Sequence, residues 1–145
     1  MTATRAGRTA LRQSFDHLIT LGLLERNPGH GHPLRPEFQL TAQGISAATM
    51  ADRLLSEVEE NKHPLLRRAW TAPVLATLRE PLRFNEIRRR LDPITDRALS
   101  QTLLVLENGE WVERGVVETA RPPVALYSTI NQGKLISEHL ASALR

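Results

Sequence analysis

Three polar residues near position 100 have side chains and spacing suited to hydrogen bonding with nucleic-acid bases. Ser100 and Gln101 follow Arg97 by three and four residues, so on a helix all three share one face. An arginine guanidinium can form two parallel hydrogen bonds to guanine, and a glutamine amide can do the same with adenine. A serine hydroxyl can bond to a base or to a phosphate. The three residues therefore predict contact with base edges in a DNA duplex.

Arginines on both sides of these residues are suited to the phosphate backbone. Arg88 and Arg89 belong to a short helix predicted just before the helix that carries Arg97. In helix-turn-helix proteins the helix at this position crosses the DNA backbone. The alternative is that the two arginines form a solvated face of a basic protein. Arg121 stands beside Pro122 and Pro123 at a predicted loop tip, where a stiffly held arginine suits a narrow minor groove. The alternative interpretation is that Arg121 is an ordinary charged residue of a turn.

The elements that position these residues follow from the apolar pattern. Leucines at 99, 103 and 106 form one stripe of a helix that Thr95 caps at its N-terminus. Strands are predicted at 111–117 and 124–129 around a proline turn, and a closing helix at 131–144. Before position 95, a helix, a short extended stretch and a second short helix are predicted between residues 70 and 91. Helices followed by a β-hairpin in this order are typical of a winged helix.

A cruder copy of the helix and hairpin precedes this region. Six residues recur 88 positions later, and these are Ala10, Leu11, Gln13, Leu18, Glu25 and Arg26, matched by Ala98, Leu99, Gln101, Leu106, Glu113 and Arg114. A one-residue slip then aligns Pro33, Phe38, Gln43 and Gly44 with Pro122, Tyr127, Gln132 and Gly133. Internal repeats are a strong indicator of architecture. By this alignment Arg8, Arg12 and Gln13 are further candidates for DNA contact, unless the first helix serves only packing or dimerisation.

The sequence therefore predicts a mainly α fold with small β-hairpin wings (α+β), built as a tandem winged helix whose first copy is incomplete. Only seven residues precede Arg8, so that copy lacks the two opening helices. We expect a partial repeat at 1–44, a connecting helix at 45–61 and a complete winged helix at 62–145. The Pro- and Gly-rich segment 27–36 is predicted to be a hairpin loop.

Composition narrows the class of protein. The 145 residues carry a net charge of +3, a pI of about 10.2 and 41% hydrophobic residues, with no cysteine. We expect a cytoplasmic bacterial protein with no membrane segment and no disulfide. His17, His30 and His32 lack carboxylate or thiolate ligands at suitable spacing, so no metal or cofactor is expected. Phosphate-loop, nucleophile-elbow and zinc-protease motifs are absent from the sequence, and an enzyme is not expected.

Between Trp70 and about Leu140 a series of short motifs stands at characteristic spacing, and these are Trp70-Thr71, Arg83-Phe84-Asn85-Glu86-Ile87-Arg88, Ala98-Leu99-Ser100-Gln101, Leu103, Val112-Glu113-Arg114, Pro122-Pro123-Val124, Tyr127-Ser128 and Gly133. On these residues the chain resembles the HxlR-type winged-helix transcription regulators of bacteria. The resemblance implies a dimeric repressor or activator with double-stranded DNA as partner. The cysteine that such regulators often carry near the N-terminus is missing. Leu104 and Val105 stand where the family usually has charged residues, and we expect them to pack against the first copy or the connecting helix.

Together these observations predict a sequence-specific regulator of transcription, with one helix in the major groove and a wing on the minor groove or backbone. The wide apolar stripes of the connecting and closing helices favour a homodimer. A duplicated chain that imitates a dimer by itself is the alternative assembly. The alternative function is a protein-interaction or dimerisation module without DNA readout. An unidentified small-molecule effector is a further hypothesis, in a pocket lined by Trp70, Trp111 and Tyr127.

Overall fold

A computed structural model describes residues 7–32 and 35–143 of the chain. In chain order its elements are helix α1 (Arg8–Thr20), strands β1 (Leu24–His32) and β2 (Arg35–Leu40), helix α2 (Ala42–Glu57), a 3-10 turn (Glu60–Lys62), helices α3 (His63–Leu66), α4 (Thr71–Thr77), α5 (Phe84–Arg90) and α6 (Asp96–Asn108), strands β3 (Val112–Val117) and β4 (Val124–Thr129), and helix α7 (Asn131–Ala143). The prediction of a mainly helical chain with two small hairpins is confirmed.

The chain divides into two compact units, residues 1–52 and 53–145, and the division falls inside α2. Unit 1 contains α1, the β1–β2 hairpin and most of α2. Unit 2 contains the last turn of α2 and everything after it. The helices lie within a few residues of their predicted bounds, and α2 runs from Ala42 to Glu57 where a connecting helix at 45–61 was expected.

In unit 1, the hairpin differs from the predicted one. Residues 27–36 were expected to form an irregular loop, but β1 continues to His32 and β2 begins at Arg35. The register shifts between Arg26 and Gly31, so a bulge accommodates the glycine- and proline-rich segment within the ladder. The prediction of a long loop was therefore wrong in this part, because a bulge can absorb residues that cannot all join a regular ladder. Pro33 and the side chains of His30 and His32 lie outside the described residues.

Helix α1 of unit 1 buries none of its residues, although its apolar residues form a stripe. The ring of Phe15 stacks on that of Phe38 in β2, with 5.4 Å between ring centroids. Leu11, on the same stripe, keeps 43% of its surface exposed. The helix is thus attached to its hairpin, but its apolar face is only partly covered within the described structure.

Unit 2 has a closed hydrophobic core. Its fully buried apolar side chains come from α4, α5, α6, β3 and α7 or from residues directly beside them, and they are Val74, Leu75, Leu78, Ile87, Leu99, Leu103, Leu106, Trp111, Val112 and Ile136. Helix α4 packs along α7 and also contacts α5 and α6. An isolated bridge between Leu82 and Tyr127 adds the stretch before α5 to the β3–β4 hairpin. The backbone N–H of Leu82 donates to the Tyr127 carbonyl at 3.0 Å, and that of Tyr127 donates back at 2.8 Å.

The same backbone hydrogen bonds recur around the helix and hairpin of each unit. Leu23 N–H donates to the Leu18 carbonyl at 3.0 Å, and Trp111 N–H, 88 positions later, donates to the Leu106 carbonyl at 3.0 Å. The carbonyls of Leu23 and Trp111 in turn accept from Thr41 and Ile130 at 3.1 and 2.9 Å. A residue just after each helix also adopts a positive φ, which is 73° at Gly22 in unit 1 and 57° at Glu110 in unit 2.

The contact between each hairpin and the helix after it also recurs. A Cβ atom built on Gly44 would overlap the carbonyl of Leu23, and one built on Gly133 would overlap that of Trp111. Glycine is required at both positions because the helix backbone lies directly against a carbonyl group. Both hairpins also place a glutamate beside a polar partner across the strands. Gln39 donates to Glu25 at 2.8 Å, and Ser128 donates to Glu113 at 3.4 Å.

Candidate nucleic-acid interface

Helix α6 is held by a cap at its start and by a buried stripe along its length. The Thr95 hydroxyl accepts a hydrogen bond from the Ala98 N–H at 3.1 Å, which satisfies one of the free donors of the first turn. The side chains of Leu99, Leu103 and Leu106 are 0%, 2% and 0% exposed. Because this stripe fixes the rotation of the helix about its axis, the opposite face must point to solvent.

That opposite face carries the predicted base-reading residues. Arg97, Ser100 and Gln101 are all exposed, in the first two turns of α6. Within the described structure, their side chains form no ion pair and no hydrogen bond with another side chain. The face therefore presents guanidinium, hydroxyl and amide groups free to bond with an external partner.

Helix α5 brings its arginines next to the start of α6. The Nε of Arg88 forms an ion pair with Asp96 in the first turn of α6. Both side chains are largely exposed, at 50% and 70%, so the pair contributes little to stability. Its effect is to place a positive group beside a carboxylate that would otherwise repel a phosphate. Arg90 is held differently, by Glu80 at 3.2 Å.

A cleft separates α5 from the turn end of the β3–β4 hairpin. Arg83, Arg88 and Arg89 line it on the α5 side, and Pro123 and Ala125 line it on the hairpin side. The cleft is open to solvent and has a volume of about 770 Å³. Glu86 also lines it, but its carboxylate accepts from the Arg83 backbone N–H at 2.8 Å and closes the first turn of α5. Three arginines against one glutamate give the cleft a net positive charge.

Arg121 lies in the turn between β3 and β4 and is exposed, as a residue at a wing tip must be to reach DNA. Arg114 pairs with Tyr127 in the middle of the ladder, and the strands stay in register from Val112 to Val117. The hairpin is therefore regular up to its turn. It carries Arg121 in its turn, in the same unit as α6.

Arg8, Arg12 and Gln13 lie in unit 1, on helix α1, and all three are exposed. They lie in a different unit from Arg97, Ser100 and Gln101. The N-terminus of α1 differs from that of α6, since Gly7 supplies no side-chain cap. The unit 1 residues thus share the exposure of the α6 residues but not the buried support beneath them.

Sequence reasoning missed one residue beside the α6 face. Arg68 and Trp70, just before α4, line a cavity of about 280 Å³ together with Gln101 and Ala98 of α6. Arg68 thus adds a positive group to the side of the face where Gln101 lies. The adjacent pair Arg67-Arg68 directly before the Trp70-Thr71 helix start was the available signal.

The aromatic residues suggested for an effector pocket occupy different environments. Trp111 is fully buried in the core of unit 2, while Trp70 lines the cavity beside Gln101. Tyr127 is half-buried in β4. Among residues 7–32 and 35–143, no three His, Asp or Glu side chains are grouped to hold a metal ion. Within the same ranges, the helices are too short or too polar to span a bilayer.

The arrangement of α5, α6 and the β3–β4 hairpin is that of a winged helix-turn-helix, and comparison with known proteins supports this class. The profile of the HxlR-like helix-turn-helix family matches residues 65–144, which is more than half of the chain. The protein therefore belongs to the HxlR-like helix-turn-helix family. The match begins at α3 and includes α5, α6 and the β3–β4 hairpin, so every candidate residue of unit 2 lies within it.

Individual relatives cover the same region. An uncharacterised helix-turn-helix transcriptional regulator of Methanothermobacter thermautotrophicus is 40% identical over 68 residues, 46% of this chain and 51% of that protein. The chain thus spans about half the length of this relative. The diamide-treated YodB of B. subtilis is 27% identical with a TM-score of 0.51, over 59% of this chain and 84% of that one. A possible HxlR family transcriptional factor of Thermoplasma volcanium shares the fold, with a TM-score of 0.51 and 21% identity over 60% and 80% of the two chains.

Proposed function

We propose that the protein is a transcription regulator that binds double-stranded DNA in a sequence-specific manner, with α6 in the major groove and the β3–β4 hairpin on the minor groove or backbone. The observation that carries this proposal is the division of α6 into two faces. One face buries three leucines, and the other exposes Arg97, Ser100 and Gln101. Side chains of these types form the hydrogen bonds that distinguish base pairs in the major groove.

Contacts to the phosphate backbone would come from the residues around this face. Arg88 and Arg89 line the positive cleft between α5 and the hairpin, where a phosphate strand would pass beside α6. Arg121 would extend from the hairpin turn to the adjacent minor groove or backbone. Arg68, beside Gln101, is a further candidate for a phosphate contact. These contacts would fix the register of α6 on the duplex without reading its sequence.

We further propose that unit 1 derives from the same helix-and-hairpin plan as unit 2, as an incomplete winged helix. The proposed organisation is a partial copy at 1–44, a connecting helix at 45–61 and a complete winged helix at 62–145. It is supported by the recurrent backbone hydrogen bonds and by the matched contacts of Gly44 and Gly133. On this plan, Arg8, Arg12 and Gln13 form a second candidate surface for DNA.

A homodimer is the proposed assembly. Exposed apolar residues remain on the connecting and closing helices, including Ile45 and Leu55 on α2 and Leu135 on α7. Such residues are more consistent with an interface than with a monomer surface. If each subunit of a dimer contributes one α6, the protected DNA should contain two half-sites about 34–36 Å apart. A longer footprint would fit four reading helices and would include α1.

The experiment that tests the proposal is selection from a random duplex library, followed by affinity measurements on the enriched sequence at several salt concentrations. We expect the affinity to fall steeply with salt, because bound arginines displace counterions from the phosphates. Arg97→Ala should lower affinity for the enriched sequence about tenfold or more, as expected for loss of a bidentate base contact. Arg53→Ala, which removes an exposed arginine of α2, is the matched control and should change it little.

The outcome that contradicts the proposal is failure to enrich any sequence, or affinity that is independent of salt. Equal losses for Arg97→Ala and Arg53→Ala would also contradict it, since they would indicate attraction by net charge alone. Either result would favour a protein-interaction module.

A further inference from the structure

One apolar residue interrupts the polar face of α6. Leu104 follows Arg97 by seven residues and Gln101 by three, so it lies on the same side of the helix as both. It is 56% exposed, whereas the other three leucines of α6, at positions 99, 103 and 106, are buried. The next residue, Val105, is half-buried. Leu104 is therefore an outward-facing leucine in the middle of the proposed reading surface.

The charges around Leu104 indicate what kind of partner would cover it. The face it belongs to carries Arg97, and α5 and the hairpin turn of the same unit add Arg88, Arg89 and Arg121. The carboxylates of α6 are Asp96, which pairs with Arg88, and the half-buried Glu107. A partner that docks here must bring negative charge together with a small apolar group. Duplex DNA has both, because the C5 methyl of thymine projects into the major groove between two rows of phosphates.

The spacing along the helix fits this partner. Seven residues of α-helix separate Leu104 from Arg97 by about 10 Å along the axis, at about 1.5 Å per residue. Base pairs are stacked about 3.4 Å apart, so this length corresponds to about three base-pair steps. Leu104 and Arg97 can thus contact different base pairs of one half-site while α6 lies in the groove.

We propose that Leu104 determines sequence preference by packing against the C5 methyl of a thymine in the major groove. This inference rests on the proposed function, since it requires α6 to lie in that groove. Leu104 would select a T·A pair through apolar contact, beside the hydrogen bonds of Arg97 and Gln101. Unit 1 has Asp16 at the equivalent position of α1, so its surface would lack this preference.

The test combines a change in the protein with a change in the DNA. Each thymine of the enriched duplex is replaced in turn by deoxyuridine, which removes the methyl and leaves the base pair unchanged. Affinities are then measured for the wild type and for Leu104→Ala. For one thymine of the half-site, we expect deoxyuridine to weaken the wild type about fourfold, the size expected for one apolar carbon returned to water. The same replacement should leave the affinity of Leu104→Ala unchanged.

A matched control separates this effect from a general loss of apolar surface. Leu21→Ala removes a leucine of similar exposure, 53%, at the C-terminal end of α1, and it should retain the wild-type response to deoxyuridine. Sedimentation of Leu104→Ala should match that of the wild type. The inference is overturned if, at every thymine, replacement by deoxyuridine weakens binding by Leu104→Ala as much as binding by the wild type. It is also overturned if Leu104→Ala alters self-association while its response to deoxyuridine persists. Failure to enrich any duplex would instead overturn the proposed function, and this inference with it.

Discussion

Helix α1 of unit 1 and helix α6 of unit 2 have the same length, 13 residues, and leave for their hairpins through equivalent backbone hydrogen bonds. They differ in what supports them. In α6, Leu99 is completely buried because α4 and α5 pack against the same core. In α1, the equivalent Leu11 is 43% exposed, and the described part of unit 1 contains no counterpart of α4 or α5.

This difference separates two contributions to the fold. The helix-and-hairpin backbone is specified locally, by a glycine that allows close contact, by strand pairing and by the turn at the helix end. Burial of the apolar stripe requires helices from elsewhere in the chain. A reading helix needs both, since a base contact demands a fixed orientation. We therefore expect α6 to dominate DNA recognition and α1 to contribute less.

The largest expected effect concerns this burial. Leu99→Ala should lower the free energy of unfolding by about 2–5 kcal/mol, because it leaves a cavity in a closed core. Leu11→Ala, the equivalent change in unit 1, should lower it by less than about 1 kcal/mol, because the side chain is already half in water. Denaturant unfolding of both variants provides the measurement. Equal losses would show that the α1 stripe is fully covered in solution, and the contrast between the helices would then fail.

The second prediction tests the close contact between a helix glycine and a hairpin carbonyl that the two units share. Gly133→Ala and Gly44→Ala should each destabilise their own unit by about 1–3 kcal/mol, because the added Cβ would displace a backbone carbonyl. Gly115→Ala in β3 is the matched control, since a Cβ there would meet nothing within 4 Å. Hydrogen exchange resolved along the chain can assign each loss to its unit. If Gly44→Ala were as harmless as Gly115→Ala, the contact of Gly44 would not be part of the structure in solution.

Much of this layout could be predicted from the sequence. The stripe of Leu99, Leu103 and Leu106 indicated which face of α6 is buried, and hence that Arg97 and Gln101 are exposed. Apolar periodicity works here because α6 has a single buried side.

Other features depend on tertiary contacts that sequence spacing does not reveal. The extension of β1 to His32 depends on the pairing of Gly31 and His32 with Pro36 and Arg35 of β2, which overrode the turn-forming composition. The approach of Arg68 to Gln101 joins residues 33 positions apart through the packing of α4 on α6. The Arg88–Asp96 pair likewise depends on how α5 and α6 cross.

The smallest effect concerns the helix starts. Thr95→Ala should destabilise unit 2 by about 1 kcal/mol, because the first turn of α6 loses its side-chain cap. Gly7→Ser should stabilise unit 1 by about a few tenths of a kcal/mol, by adding a cap that α1 lacks. Thermal unfolding of the two variants would measure both changes. A stabilising Thr95→Ala would show that the cap does not form in solution.

If the exposed face of α6 lies against DNA bases, site-specific photo-crosslinking should detect the contact. A photoreactive amino acid is placed at position 101, at position 13 of α1, or at position 53 of α2, and each protein is irradiated with the enriched duplex. We expect strong crosslinks to bases from position 101, weaker ones from position 13 and none from position 53. A protein that retains the duplex but crosslinks no better from position 101 than from position 53 would contradict this expectation.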